Sequence, residues 1–249
     1  MAVYVVSDIH GYYDLFLKGL TEIGFSDQDY LWCLGDMIDR GPDGIQILQY
    51  IMKHDNMDLL IGNHELMFLN SVDGKGEAVC NGKDAYLWLD ANGGRITFYR
   101  YKDLPVEERI DLLDWLKQRK VVRRMDVGGQ TYCLTHSFYN PKCVDKRYCD
   151  LQYSDVWNIT WSSIWRDDPF THALDVYPDY EYTFVCGHVP VQSARSWEAP
   201  AEDANILKSF RHENMIDIDG GCAKGKSGKV RNGAIFLQLD DMKEHAVPL

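Results

Sequence analysis

Short apolar runs that stop at a glycine or a polar residue recur along this chain. Val3-Tyr4-Val5-Val6, Tyr30-Leu31-Trp32-Cys33-Leu34, Leu59-Leu60-Ile61, Tyr132-Cys133-Leu134 and Thr183-Phe184-Val185-Cys186 are rich in β-branched or aromatic residues, as buried strands are. After the first three runs the spacing becomes helical. Leu17, Leu20 and Ile23 recur within residues 14–24 and stop at Gly24. Ile45, Leu48, Ile51 and Met52 follow Pro42, a residue suited to a helix start, and Leu66, Met67 and Leu69 follow the third run. This βαβαβα order predicts parallel strands covered by helices.

The middle of the chain differs. Residues 83–119 carry no strand pattern, and a helix is predicted from Pro105 through Ile110, Leu113 and Leu116. Val121–Met125 and Gln130–Leu134 then flank Gly128-Gly129, a hairpin signal. Met215–Ile218 and Ala234–Leu239 read as a second antiparallel pair. The fold class expected is α/β: a two-sheet sandwich flanked by helices, with residues 83–119 as a partly helical, cap-like insertion. No repeat or low-complexity linker marks a boundary, so residues 1–249 are read as one domain.

The polar residues that end the strands are chemically specific. They form Ser7-Asp8-Ile9-His10-Gly11, Gly35-Asp36-Met37-Ile38-Asp39-Arg40-Gly41, Gly62-Asn63-His64-Glu65, Thr135-His136-Ser137 and Gly187-His188. In open α/β sheets ligands bind at the carboxyl ends of strands, so these distant segments can converge on one crevice. A pair of divalent ions needs a shared carboxylate, further ligands on each side and open positions for water and a phosphoryl oxygen. Asp, His and Asn suit Mn, Fe, Zn or Mg, and the absence of cysteine from the segments argues against a structural zinc site. Asp-x-His alone is weak, since a lone Asp at a strand end is commonly a helix cap. Five segments in one order are hard to assemble by chance. His54, His172, His212 and His245 lack such company and read as surface residues.

In order and wording the segments resemble the PPP-type, calcineurin-like metallophosphoesterases, whose pattern runs GDxHG, GDxxDRG, GNHE, a His and then GH. Small bacterial and phage serine/threonine protein phosphatases and dinucleoside tetraphosphate hydrolases look most alike. The resemblance implies that Asp8, His10 and Asp36 hold a first metal, that Asp36 bridges to a second, and that Asn63, His136 and His188 complete the second. It implies His64 as general acid oriented by Asp39, Arg40 as a phosphate clamp, Arg166, after Ile164-Trp165, as a second one, and Asn63 as a substrate contact as well as a metal ligand. A hydroxide activated by the two ions would attack phosphorus, with manganese the expected metal and iron, zinc or magnesium as alternatives. Ser7 stands where the family pattern has Gly, and Ser137 where its eukaryotic members often have one.

Charge bears on the substrate. The net charge is −12 and the isoelectric point is near 5.0, which opposes non-specific binding to nucleic acid or an anionic membrane. A long polyphosphate finds few cations beyond the metals and two arginines, save a basic loop at Lys224, Lys226, Lys229 and Arg231. The expectation therefore leans to phosphorylated protein, with a small phosphoester, dinucleoside tetraphosphate, as the alternative. A phosphate-binding protein without catalysis is disfavoured because every ligand and the acid are present. No run approaches the ~18 apolar residues that span a bilayer, no basic leader precedes the first strand, and seven cysteines include no Cys-x-x-Cys pair. Such a chain is expected in the cytoplasm.

Two other patterns carry weight. Residues Gly220 to Ser227 satisfy G-x-x-x-x-G-K-[ST], but Gly228 to Gly233 and then a strand follow, without the helix that such a phosphate loop requires. A flexible basic hairpin loop is the better reading. Trp157, Trp161 and Trp165 recur every four residues and would share one helical face, with core packing favoured over a cleft wall. Tyr139, Tyr148 and Tyr153 lie nearby in sequence.

Overall fold

The computed structural model describes residues 1–163, 180–196, 200, 204–227 and 229–249. Arg166, Trp165 and His172 lie outside the described residues.

The first apolar runs form β1 (Val3–Val6), β2 (Tyr30–Cys33) and β3 (Met57–Leu59), joined by α1 (Tyr13–Glu22) and α2 (Gly44–Met52) and followed by α3 (Asn63–Ser71). β1, β2 and β3 are parallel, with Val3 opposite Tyr30 and Leu31 opposite Met57. β9 (Gly233–Gln238) lies antiparallel to β1, and β10 (Glu244–Pro248) antiparallel to β9, completing a sheet of order β10-β9-β1-β2-β3. Every residue of β1 is buried, as is nearly all of β9, the pattern of strands covered on both faces.

The second sheet runs β4 (Val122–Val127), β5 (Gln130–Thr135), β6 (Thr183–Cys186), β8 (Met215–Asp217) and β7 (Phe210–His212). The β4–β5 hairpin forms as expected, its turn at Gly128 and Gly129 with φ of 59° and 85°. β5, β6 and β8 are parallel. One apolar core joins both sheets and their helices, from Val5 and Phe16 through Leu134, Phe184 and Phe236.

One expectation fails. β8 and β9 do not pair: β8 is held between β6 and β7, and β9 between β1 and β10. Both strands are buried on both faces, so neither has an alternating pattern to specify its neighbour. The chain from 218 to 232 instead crosses between the sheets. Residues 83–119 hold more helix than the pattern predicted, with a π-helical turn at Leu87–Ala91 and α4 (Arg95–Lys102) preceding the expected α5 (Val106–Lys117). Among the described residues, no helix is long and apolar enough to cross a membrane.

Candidate active site

β1, β2 and β3 end side by side, and β5, β6 and β8 end facing them, so the five polar segments meet at the carboxyl edges of both sheets. The backbone there is contorted. Of the ten described non-glycine residues with positive φ, six are Asp8, His10, Asp36, Asp39, Arg40 and His188. Left-handed conformations cost of order 1–3 kcal/mol each and gather where surroundings enforce them, commonly at active sites.

Asp36 is the centre. Its Oδ2 lies 3.8 Å from His10 Nε2, 3.8 Å from His64 Nε2 and 3.5 Å from His136 Nε2. Two clusters of donor atoms result, one of His10, Asp36 and His64 and one of Asp36, His136 and His188, and Asp36 belongs to both. Asp8 Oδ1 faces His10 Nε2 at 3.9 Å. Asn63 Oδ1 lies 3.0 Å from His136 Nε2 and 3.1 Å from His188 Nδ1.

The imidazoles differ in what holds their other nitrogen. His10 Nδ1 contacts the Ile38 carbonyl at 3.1 Å, and His136 Nδ1 the Leu34 carbonyl at 2.9 Å. A carbonyl only accepts, so each Nδ1 carries the hydrogen and each Nε2 points a lone pair inward, as metal-ligating histidines do. His136 Nε2 and Asn63 Oδ1 are then two acceptors facing each other at 3.0 Å. That contact is repulsive unless a cation lies between them. Neighbouring ligands at about 2.1 Å around one ion stand about 3 Å apart, so the donor set fits a divalent metal. His64 is held otherwise, its Nδ1 lying 2.6 Å from Asp39 Oδ2.

Glycines let the segments close. A side chain at Gly62 would collide with Asp36 Oδ1, and one at Gly187 with Asp8 Oδ2 and the Ser7 hydroxyl. Ser7, the departure from the family pattern, is buried and donates to Asp8 Oδ2, which also accepts from the His188 N–H at 3.0 Å.

Comparison with known proteins agrees with this arrangement. A model of the calcineurin-like phosphoesterase family matches residues 1–218. The chain belongs to that family. A symmetrical bis(5'-nucleosyl)-tetraphosphatase of Actinobacillus pleuropneumoniae is 25% identical, over 90% of this chain and 93% of that one. Among solved structures, a candidate diadenosine tetraphosphatase superposes with a TM-score of 0.58 at 17% identity, covering 99% of this chain and 93% of the other. A cold-active protein tyrosine phosphatase superposes at 0.55 and 18% identity, covering 98% and 78%. At such identities the structural likenesses speak to the fold.

Burial sets the electrostatics of this phosphoesterase. It pushes the Asp8 and Asp36 carboxyls well above the usual range, with Asp219 adding to Asp8 and Asp8 to Asp36. It pushes Glu65 and Asp219 up to about 7 and holds the His10 and His136 imidazoles well below their usual value. Packed acids beside neutral imidazoles are what a bound cation relieves. At the His64–Asp39 pair burial lowers His64 to about 3 and raises Asp39 to about 7. One proton beyond the carboxylate and neutral imidazole makes the pair neutral overall, the form burial favours, and leaves an N–H at Nε2.

Two groups escaped the sequence reading. Glu65 accepts from the backbone N–H of Asp36, Met37 and Gly62 at 2.8, 2.9 and 3.1 Å, clamping the Asp36 turn. Its place three residues after the Gly62 N-cap of α3 was the available signal. Asp219, buried just beyond β8, had no signal in the motifs. Arg40 is exposed at the rim. Trp157 and Trp161 lie on α6 (Tyr153–Trp161) and stack at 5.0 Å, and Trp161 meets His188 at 6.3 Å, so the stripe runs to the site's edge and remains half-buried.

Proposed function

We propose that this phosphoesterase hydrolyses dinucleoside polyphosphates of the diadenosine tetraphosphate type. The carrying observation is the place of the basic loop. A side chain at Gly225 would stand 3.3 Å from the Tyr12 hydroxyl, two residues from His10. Lys226 lines a cavity of about 390 Å³ together with Gly11, Tyr12, Tyr13, Pro42 and Asp43. α1 starts in this lining, α2 starts just after Asp43, and Pro248 at the end of β10 pairs with Gly233 at the start of β9, so the cavity lies toward the edge where β1 ends. Lys226 and Lys18 bring two cations to this cavity beside Asp14 and Asp43, which supports room for a polyphosphate in an acidic chain. Relatives named as tetraphosphatases support this reading over a protein phosphatase. The phosphate-loop reading gains no support: residues 225–227 are not helical.

In this reading Asp8, His10 and Asp36 would hold one divalent ion, and Asp36, Asn63, His136 and His188 the other, within one domain of residues 1–249. Manganese is the metal expected. Bound there, such ions would supply Lewis acidity and a nucleophile available at neutral pH. Arg40 grips a phosphoryl oxygen from the rim, where its charge offsets charge developing in the transition state. His64, steadied by Asp39, gives the Nε2 proton to the leaving oxygen. Tyr12, Tyr13 and Lys226 receive the distal nucleotide.

The test is a comparison of kcat/KM for diadenosine tetraphosphate and a phosphothreonine peptide on one Mn²⁺-loaded preparation. A preference of about a hundredfold for the dinucleotide, worth ~2.7 kcal/mol of transition-state binding, is expected. Preference for the peptide would return the substrate to phosphoprotein.

A further inference from the structure

The segment from Trp88 to Thr97 belongs to the stretch without strand pattern, and it closes on the second polar segment from above. Trp88 Nε1 donates to Asp39 Oδ2 at 2.8 Å, the same oxygen that holds His64 Nδ1 at 2.6 Å. The backbone N–H of Asp39 donates to Thr97 Oγ1 at 3.0 Å. Trp88, Thr97 and Asp39 are all buried. Gly94 has no side chain to block the indole, since a Cβ there would strike Trp88 Nε1. Gly93 passes close to Arg40, a Cβ there standing 3.0 Å from Arg40 Cδ.

The other oxygen of Asp39, Oδ1, is buried and has no hydrogen-bond partner among the described residues. The indole N–H and His64 both engage Oδ2, while the Thr97 side chain favours the ionised carboxylate and anchors a backbone held at a φ of 70°. Trp88 is itself fixed by Phe68 and Phe98, with ring centres 5.2 and 6.2 Å away, in a π-helical turn. Such turns frequently mark functional sites.

We propose that Trp88 is a positioning residue for proton donation: its indole N–H locks the Asp39 carboxylate so that His64 presents Nε2 to the leaving group, with Thr97 holding the backbone beneath. This rests on His64 as the acid. A lost lock matters most where the leaving group needs its proton. Phenyl phosphate, whose phenolate is a poor leaving group, is therefore slowed more than p-nitrophenyl phosphate, whose leaving group departs nearly unaided.

The experiment measures kcat and KM for both esters with Mn²⁺-loaded wild type, Trp88→Phe and His64→Asn, alongside metal content by elemental analysis. For Trp88→Phe the expected result is about a tenfold fall in kcat on phenyl phosphate, at most a threefold fall on p-nitrophenyl phosphate, KM within twofold and both metals retained. An equal fall on the two esters, or no fall, overturns the proposal. If His64→Asn itself does not widen the gap between the esters, the acid role fails first. If it does and Trp88→Phe does not, the indole alone is ruled out. Should Trp88→Phe not fold, 3-benzothienylalanine at position 88 keeps the ring shape without the donor, and the same ratio decides.

Discussion

Stripping the metals is expected to destabilise this phosphoesterase far more at about pH 8 than at about pH 5. Without ions, Asp219 and Glu65 are pushed up to about 7 by burial, from usual values of 3.8 and 4.5, while Asp8 and Asp36 are raised in the same direction. A carboxyl whose folded pKa lies above its unfolded one binds its proton more tightly when folded. Its stabilisation is complete below the unfolded pKa and is lost as the pH rises through the folded one, here between about 4 and 7. From about pH 5 to about pH 8 only the upper two units of that window are crossed, which corresponds to about 2.7 kcal/mol for a single group. In a protein of this length a kcal/mol moves Tm by about 2–4 °C, so the loss at one such group should lower the melting point of the metal-free protein by roughly 5–11 °C at the higher pH. Divalent ions neutralise the cluster and should remove most of that slope. Differential scanning fluorimetry with EDTA and with Mn²⁺ across this range measures both curves. A Tm gap between them that is constant with pH, or larger at about pH 5, would refute the view that these acids form an ion-dependent cluster.

Asp36→Asn, at the atom shared by both donor clusters, should remove both metal occupancy and turnover; two full metal equivalents in an active variant would sink the shared-carboxylate assignment. Gly187→Ala should displace Asp8 and His188 through its collision with Asp8 Oδ2 and Ser7, lowering kcat at least ~100-fold, equivalent to ~2.7 kcal/mol, and wild-type rates would remove that packing argument. Lys226→Ala should raise KM for diadenosine tetraphosphate several-fold and leave p-nitrophenyl phosphate unchanged; equal KM values for the dinucleotide in variant and wild type would dissociate the cavity of Lys226 from substrate binding. Glu65→Gln turns an acceptor of three backbone N–H groups into a mixed donor and acceptor, for which a loss of about 1–3 kcal/mol in urea melts is expected.

The amino-acid sequence by itself determined the parts of this protein that are local. A polar segment directly after a buried strand must emerge at that strand's end, so the sequence places Asp8, His10, Asp36, Asn63, His136 and His188 at one edge, and the structure brings them together there. The helices between the early strands followed for the same reason, since a 3.6-residue period is written within ten residues of chain. Strand partnership was not local. β8 and β9 are buried on both faces, and only packing sends one to each sheet.

What the tertiary structure alone decided is what reaches the site from far along the chain. Trp88 meets Asp39 across 49 residues, Thr97 meets it across 58, and the loop at Gly225 comes to lie beside Tyr12. Contacts at such separations leave no periodicity, because each depends on how whole elements stack. The segment 88–97 therefore showed only the absence of a strand pattern in sequence, yet it supplies the donor that steadies the His64–Asp39 pair.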